Sequence, residues 1–283
     1  MITQEQLEIR KNGIGSSDAA TILKLNPYCT PYQLWLKKTG QLEEDKIPAN
    51  DIRYIGNLLE EPIARLFSEI HSLPLEEVDD TLKHPEHPWM ICHLDRKVVG
   101  KDEIVECKNI SLRSFMAYQW GNEFTDQIPL NYLVQVQHQL AITGYKHAYI
   151  AVLVGGNQFK TYEVIRDENI ISKLIEKELY FWEEHVLKKI PPDPLDSEDI
   201  SNIYPQDNGT YRACTQEILK VARDFFSINS IKSKETELRK KLCTYIGEYS
   251  GIQQAGKPIV TFKSTKSGYR TLRIIERNLY EYI

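Results

Sequence analysis

Ile91-Cys92-His93-Leu94-Asp95-Arg96-Lys97-Val98-Val99-Gly100, continuing through Lys101-Asp102-Glu103-Ile104-Val105-Glu106-Cys107-Lys108-Asn109, is the stretch whose reading decides the fold. Two short apolar-rich runs flank a polar Gly-Lys-Asp-Glu turn, the pattern of a β-hairpin or a bent strand pair. Side chains on a strand alternate between faces, so Glu106 and Lys108 are expected to point one way and Val105 and Cys107 into the core. Asp95, on the preceding strand, can face the same pocket. Two carboxylates offer hard oxygen ligands to Mg²⁺, which keeps several waters and binds phosphate well. A lysine beside them can position or deprotonate an attacking water and offset charge developing on phosphorus. The set suits phosphodiester cleavage. A solvated hairpin with cross-strand ion pairs, worth little each, explains the same triplet. The neighbouring sequence has to decide between them.

At 283 residues, with 41% hydrophobic and 27% charged side chains, the chain can bury a real core and is long enough for one large domain with an appendage. No apolar run approaches membrane-spanning length, and the polar start Met1-Ile2-Thr3-Gln4-Glu5 is no signal peptide. Cys29, Cys92, Cys107, Cys214 and Cys243 are scattered without close pairs. That argues against a zinc ribbon, an iron–sulfur ligand set or a secreted disulfide framework, and for a reducing cytosol. The net charge of −5 is unevenly spread: residues 200–283 carry 14 Lys/Arg and 8 Asp/Glu, whereas the rest carries 21 and 32. A basic tail can touch phosphates, though a solvated helix has the same charge.

Thr3 and Gln6 form a capping-box pattern for a first short helix ending at Gly13. Gly13-Ile14-Gly15-Ser16-Ser17-Asp18 then delivers hydroxyls and backbone N–H groups to a new helix start, either as an anion site or as simple capping by Ser17 or Asp18. Thr30-Pro31 opens the next helix. Asn50 or Asp51 starts another, with Leu59, Ile63, Leu66 and Phe67 as its apolar stripe, Glu60 and Glu61 flanking it, and Pro62 able to kink it. His84-Pro85-Glu86-His87-Pro88 reads as a turn rather than a metal site. Pro129 to Gly144 alternates like a strand at Val134–Gln139, but Pro at its start, Gly at its end and apolar residues at helical spacing favour a helix with Gln135, Gln139 and His138 on one face. Ala148–Val154 is a buried strand, turned by Gly155-Gly156, and Phe159–Ile165 returns antiparallel. Asp167 caps a long amphipathic helix, and Pro191-Pro192-Asp193-Pro194 breaks it. Beyond lie a charged helix over about 215–246 and two β-runs, 258–263 and 269–275.

Helix, strand pair, strand with Glu-x-Lys, helix and strand follow each other in the order of the PD-(D/E)XK nuclease core. Arg10 with Gly13-Ile14-Gly15-Ser16-Ser17-Asp18, Gly56-Asn57-Leu58-Leu59-Glu60, Leu94-Asp95, Glu106-Cys107-Lys108 and Tyr132-Leu133-Val134-Gln135-Val136-Gln137 occur in register. Over roughly residues 8–190 the chain resembles the YqaJ-type viral recombinase family, relatives of lambda-type phage exonucleases. The resemblance implies an α/β restriction-endonuclease-like core over 1–192, with a central mixed sheet flanked by helices. A linker over 193–210 and a C-terminal helix and β-hairpin extension over 211–283 would follow. It further implies a Mg²⁺-dependent 5′→3′ exonuclease, with Mn²⁺ as substitute, acting on double-stranded DNA ends to leave single strands for recombination. Asp95, Glu106 and the Cys107 carbonyl would then hold the metal. Glu60 would line that site, Lys108 would activate the attacking water and Gln135 would steady it. Arg10 and Ser17 would hold the DNA 5′-phosphate. The family usually has Asp-Gly where this chain has Asp95-Arg96. A closed homo-oligomeric ring, trimer or tetramer, a single-strand annealing partner and a cytoplasmic setting in a bacterial or phage-infected cell are also implied. The alternatives are a structure-specific endonuclease or resolvase on the same fold, and a DNA-end-binding or assembly module without catalysis.

Overall fold

The computed structural model describes residues 9–42, 51–118, 120–204 and 206. In the C-terminal part it describes 248–254, 256–264 and 270–275 with isolated positions between 219 and 246. The chain divides into two compact units, Met1–Gln206 and Asp207–Ile283. The expected first capping box at Thr3 and most of the helix expected over 215–246 lie outside the described residues.

In chain order the first unit begins with β1 (Ile14–Gly15), α1 (Ser16–Ile22), α2 (Pro31–Lys38) and α3 (Ile52–His71). Next come β2 (Leu75–Glu76), β3 (Leu82–Lys83), β4 (Met90–Cys92), β5 (Arg96–Val98) and β6 (Glu103–Ile110). Then follow α4 (Leu112–Ala117), α5 (Leu130–Thr143), β7 (His147–Val154), β8 (Gln158–Ile165) and α6 (Glu168–Tyr180). A π-helical segment, Phe181–Leu187, extends α6, and α7 (Ser197–Ile203) closes the unit. No described helix is long and apolar enough to cross a membrane.

Five strands form a mixed sheet in the order β2-β5-β6-β7-β8. Only β6 and β7 run parallel, in register from Glu103↔His147 to Ile110↔Val154. A parallel pair needs a crossover, and α4 and α5 supply it between the two strands. Both faces of these central strands are covered, which is why β7 reads His-Ala-Tyr-Ile-Ala-Val-Leu-Val rather than alternating strictly with polar residues. On one face α3 sets Ile63 and Phe67 against Val98, Val105 and Ala151. On the other, Val136 and Leu140 of α5 pack with Met90, Ile104, Ile150 and Val152. The mixed α/β architecture is the one expected.

Helix ends follow the sequence signals. Thr30 accepts from Gln33 N–H at the start of α2, Asp51 from Arg53 N–H at α3, and Asp167 from Asn169 and Ile170 N–H at α6. Gly144 stops α5 with φ +72, a left-handed conformation that glycine adopts without Cβ strain. Beneath α5, His138 and Glu178 of α6 form a fully buried pair, Nδ1 to Oε1 at 2.8 Å, while His138 Nε2 lies 3.1 Å from the Ile91 carbonyl.

Within the stretch expected to be a linker, Ser197–Ile203 form α7. Asp196 caps α7 by accepting from Glu198 and Asp199 N–H. Asp199 is buried, taking the Thr30 hydroxyl proton at 2.7 Å on one oxygen and the Leu195 N–H at 2.8 Å on the other. A buried carboxylate with partners on α2 ties residues 195–203 to the first unit. Acidic composition near prolines conceals this, because Thr30 is remote in sequence.

The second unit contains a three-stranded antiparallel sheet in the order β11-β10-β9, comprising β9 (Gly251–Gln254), β10 (Lys257–Ser264) and β11 (Arg270–Ile274). The two expected β-runs are β10 and β11. β9 was not legible, since Gly-Ile-Gln-Gln carries one apolar residue in four.

Candidate active site

β5 pairs antiparallel with β6, Arg96 opposite Val105 and Lys97 opposite Ile104. Continued by one residue, that register sets Asp95 across from Glu106 on the same face. Asp95 Oδ2 accepts the Cys107 N–H at 2.7 Å, which anchors the carboxylate to β6 just where β5 begins.

Glu106 is 4% exposed and its two oxygens collect three donors. Oε1 accepts from Lys108 Nζ at 2.6 Å and from Gln135 Nε2 at 2.5 Å; Oε2 accepts from Gln139 Nε2 at 2.7 Å. Gln135 and Gln139 lie four residues apart on α5, one turn of the same helix face, so α5 clamps Glu106 from above. Lys108 Nζ also sits 5.4 Å from the centroid of the Tyr132 ring on the same helix.

Burial, and next the neighbouring Glu106 charge, hold the Asp95 carboxyl well above the usual carboxylate range, with Lys108 opposing them. For Lys108 burial disfavours the ammonium, but Glu106 and Asp95 outweigh it and raise its pKa above the usual lysine value. Two acidic groups thus share one ammonium, and the raised Asp95 pKa expresses that imbalance, which a bound cation would relieve. Burial and the same carboxylates push the thiols up, Cys92 to about 12 and Cys107 well above the ordinary value, so neither is a poised nucleophile.

Glu60 approaches from α3, but its Oε1 is engaged by Arg96 Nη1 at 2.8 Å. Arg96 Nη2 meets Glu61 at 2.6 Å and lies 3.5 Å from Glu77, and Nη1 also donates to the Asp95 carbonyl. Among the described residues no group of three or more His, Cys, Asp and Glu side chains is arranged to hold a metal ion. That includes His84 and His87, which lie in the turn expected: His84 Nδ1 accepts from the N–H groups of Glu86 and His87.

Arg10 ends a helical turn ahead of β1, and its carbonyl accepts from Lys38 Nζ at 2.6 Å. Lys38 also pairs with Asp18 at 2.6 Å, and Asp18 Oδ2 takes the Gly15 N–H at 2.9 Å. Burial raises the Asp18 pKa, yet Lys38 and the Gly15 N–H, with Arg10 contributing, hold it below the usual value. Burial lowers the pKa of His93, two residues from Asp95, and the Arg10 charge adds to it. Ser17 is exposed in the first turn of α1. Arg10 and Ser17 thus belong to one region around Asp18, while Glu106, Lys108 and Gln135 form a second, directly bonded group, with Asp95 beside it, bonded to the Cys107 N–H. Gln139 belongs to that group too. Its spacing from Gln135 was the available signal.

A mixed sheet with an aspartate and Glu-x-Lys on adjacent strands, and a glutamine-bearing helix laid over them, defines the PD-(D/E)XK fold class. Residues 5–146 match the YqaJ-like viral recombinase domain, and the chain belongs to that family. YqaJ of Bacillus subtilis (strain 168), an uncharacterised protein, is 39% identical over 189 residues, which cover 66% of this chain and 57% of that one. The chain therefore spans little more than half the length of that relative. An alkaline exonuclease from Laribacter hongkongensis shares the fold with a TM-score of 0.51 at 15% identity, over 66% of this chain and 94% of that one. Its complex with dAMP gives 0.51 at 16% identity, over 71% and 97%.

Proposed function

We propose that the protein is a divalent-cation-dependent deoxyribonuclease that digests duplex DNA from its ends, 5′→3′, leaving single strands for recombination. The observation that carries this reading is the Glu106–Lys108 pair held by Gln135 and Gln139, with Asp95 fixed across the strand pair on the Cys107 N–H. Family membership supports it, as does the alkaline exonuclease activity named for the Laribacter neighbour, which also accommodates a nucleotide.

The donor set fits Mg²⁺. That ion is usually held by one or two carboxylates plus waters and substrate phosphate rather than by an all-protein cage. Asp95 and Glu106 with the Cys107 carbonyl would hold it, and a cation there would relieve the crowding of two acidic groups that raises the Asp95 pKa. When bound, such an ion polarises a phosphoryl oxygen and makes water a better nucleophile. Lys108 presents its ammonium beside the reacting phosphate, orienting the attacking water and offsetting charge on phosphorus. Gln135 and Gln139 fix Glu106, and Gln135 is placed to steady the water as well.

The endonuclease alternative is separated by substrate shape. Linear duplex labelled at either end, and covalently closed circles, are incubated with Mg²⁺ or with chelator. Loss of label from the 5′ end of linear DNA only, and only with Mg²⁺, is expected. Nicking of closed circles at a similar rate would overturn the exonuclease reading.

Arg10 and Ser17 are the groups proposed to hold the 5′-phosphate, since a guanidinium can meet its extra acceptor oxygens bidentately. Arg10→Ala should slow digestion of 5′-phosphorylated duplex strongly and barely change a 5′-hydroxyl substrate. Lysine should rescue only partly, because it lacks the planar fork. Equal proportional loss on both substrates in initial-rate assays would place the phosphate pocket elsewhere. A ring of three or four chains and an annealing partner are further parts of this proposal and rest on the sequence resemblance to lambda-type phage exonucleases.

A further inference from the structure

Arg96 is a buried cation that the chemistry above does not use. It is 7% exposed, and its guanidinium lies among Glu60, Glu61 and Glu77 at 2.8, 2.6 and 3.5 Å. Strand alternation explains how it gets there. Arg96 opposes Val105, whose side chain packs under α3, so Arg96 leaves the sheet on the α3 side, where Glu60 and Glu61 are. Asp95, one residue earlier, takes the face of Glu106. The guanidinium then links the two sides, since Nη1 donates both to Glu60 and to the Asp95 carbonyl.

Glu60 is near enough for its charge to act on Asp95 and Cys107. Even so, it does not join Asp95 and Glu106 in a three-acid metal site among the described residues. Its Oε1 is committed to Arg96. A guanidinium cannot lose its charge in a protein, so this cation is permanent. A divalent ion beside Glu60 would meet a guanidinium fixed among Glu60, Glu61, Glu77 and the Asp95 carbonyl. At Glu106, by contrast, the Lys108 cation faces Oε1, while Oε2 takes a neutral amide donor and Asp95 adds a second carboxylate across the strand pair.

We propose that Arg96 sets the metal stoichiometry: its guanidinium takes the place of a second divalent cation at Glu60, so the chain loads one ion, on Asp95 and Glu106. This rests on the metal-dependent reading above. Arg96 is a positioning residue here, acting through Glu60.

The test is binding of Mn²⁺ alone to the full chain without DNA, counted by electron paramagnetic resonance of the free ion and by calorimetry. Wild type should bind one ion. Arg96→Ala, which leaves Glu60, Glu61 and Glu77 without their counter-ion, should bind two, and Arg96→Lys, which keeps the charge, one. Glu60→Gln should leave the wild-type Mn²⁺ affinity nearly unchanged, because Glu60 is not a ligand. Two ions in wild type, a single ion in folded Arg96→Ala, or a loss of about tenfold or more in Glu60→Gln would overturn the proposal. If Arg96→Ala does not fold, the wild-type count and Glu60→Gln decide. No bound Mn²⁺ in wild type would instead remove the metal reading itself, and this inference with it.

Discussion

Lys108→Ala is expected to slow hydrolysis of linear duplex DNA by about a hundred- to thousandfold, the range typical for losing one preorganised donor aimed at charge that develops in the transition state. Binding of the duplex should stay nearly intact. The structure explains the asymmetry. Lys108 spends its ammonium on Glu106 at 2.6 Å and on the Tyr132 ring face, and in the proposed reading it meets the reacting phosphate and its water rather than the flanking duplex. Duplex affinity comes mainly from many phosphate contacts, and one buried lysine is a small part of that sum. Asp95→Asn should differ in kind, weakening Mg²⁺ binding as well, since an amide is a poorer ligand than a carboxylate. The two losses should not add when combined, because the groups act as a unit. Single-turnover rates and duplex binding measured on the same preparations check both points. A Lys108→Ala protein with wild-type rate would remove the lysine from the reaction.

Glu178→Leu is expected to destabilise the fold by about 3–5 kcal/mol, the usual result of breaking one partner out of a buried charged pair. His138 and Glu178 are both fully buried, and both His138 nitrogens face acceptors, Glu178 Oε1 and the Ile91 carbonyl. A doubly protonated ring can satisfy both. Burial disfavours that charged ring, but the Glu178 charge and the two hydrogen bonds outweigh it and raise the His138 pKa. Burial likewise raises the Glu178 pKa, with His138 opposing. Because the folded-state pKa of His138 lies above its unfolded value of about 6.5, its contribution is full below that pH and is lost as pH rises through the raised value. Denaturant unfolding followed from pH 6 upward should therefore show wild type losing stability that a His138→Leu/Glu178→Leu double variant does not lose. The double variant should also be less destabilised than Glu178→Leu alone, as no unpaired charge is left inside. A flat wild-type profile, or a double variant as weak as the single one, would show that the pair is held for another reason.

Much of this site was legible because its signals are local. Asp95, Glu106 and Lys108 lie within one hairpin, and period-2 alternation alone assigns their faces. α5 could be told from a strand because Pro129 and Gly144 punctuate it, and its i, i+4 glutamines could only meet something above the sheet. What stayed hidden depends on distant elements. The Arg96 cluster joins β5 to α3 and to the segment after β2, and nothing near Arg96 in the sequence announces Glu60 as its partner. Asp199 looked like one more acidic residue in a proline-rich connection until Thr30, 169 positions away, supplied its hydroxyl. The buried His138–Glu178 pair spans two helices in the same way. Sequence spacing reports which side chains share a face. It does not report which face meets which.

The most direct test of the account is the Mg²⁺-dependent rate of wild type and Glu106→Gln on one linear, 5′-phosphorylated duplex. Glu106 is the residue on which Lys108, Gln135 and Gln139 converge, and an amide there sets its NH₂ against one of their donors. A folded Glu106→Gln protein, checked by circular dichroism, should cleave at least about a thousandfold more slowly, as expected for one member of a catalytic unit. A folded variant that digests the duplex at the wild-type rate would show that Asp95, Glu106 and Lys108 are not where the phosphodiester is broken.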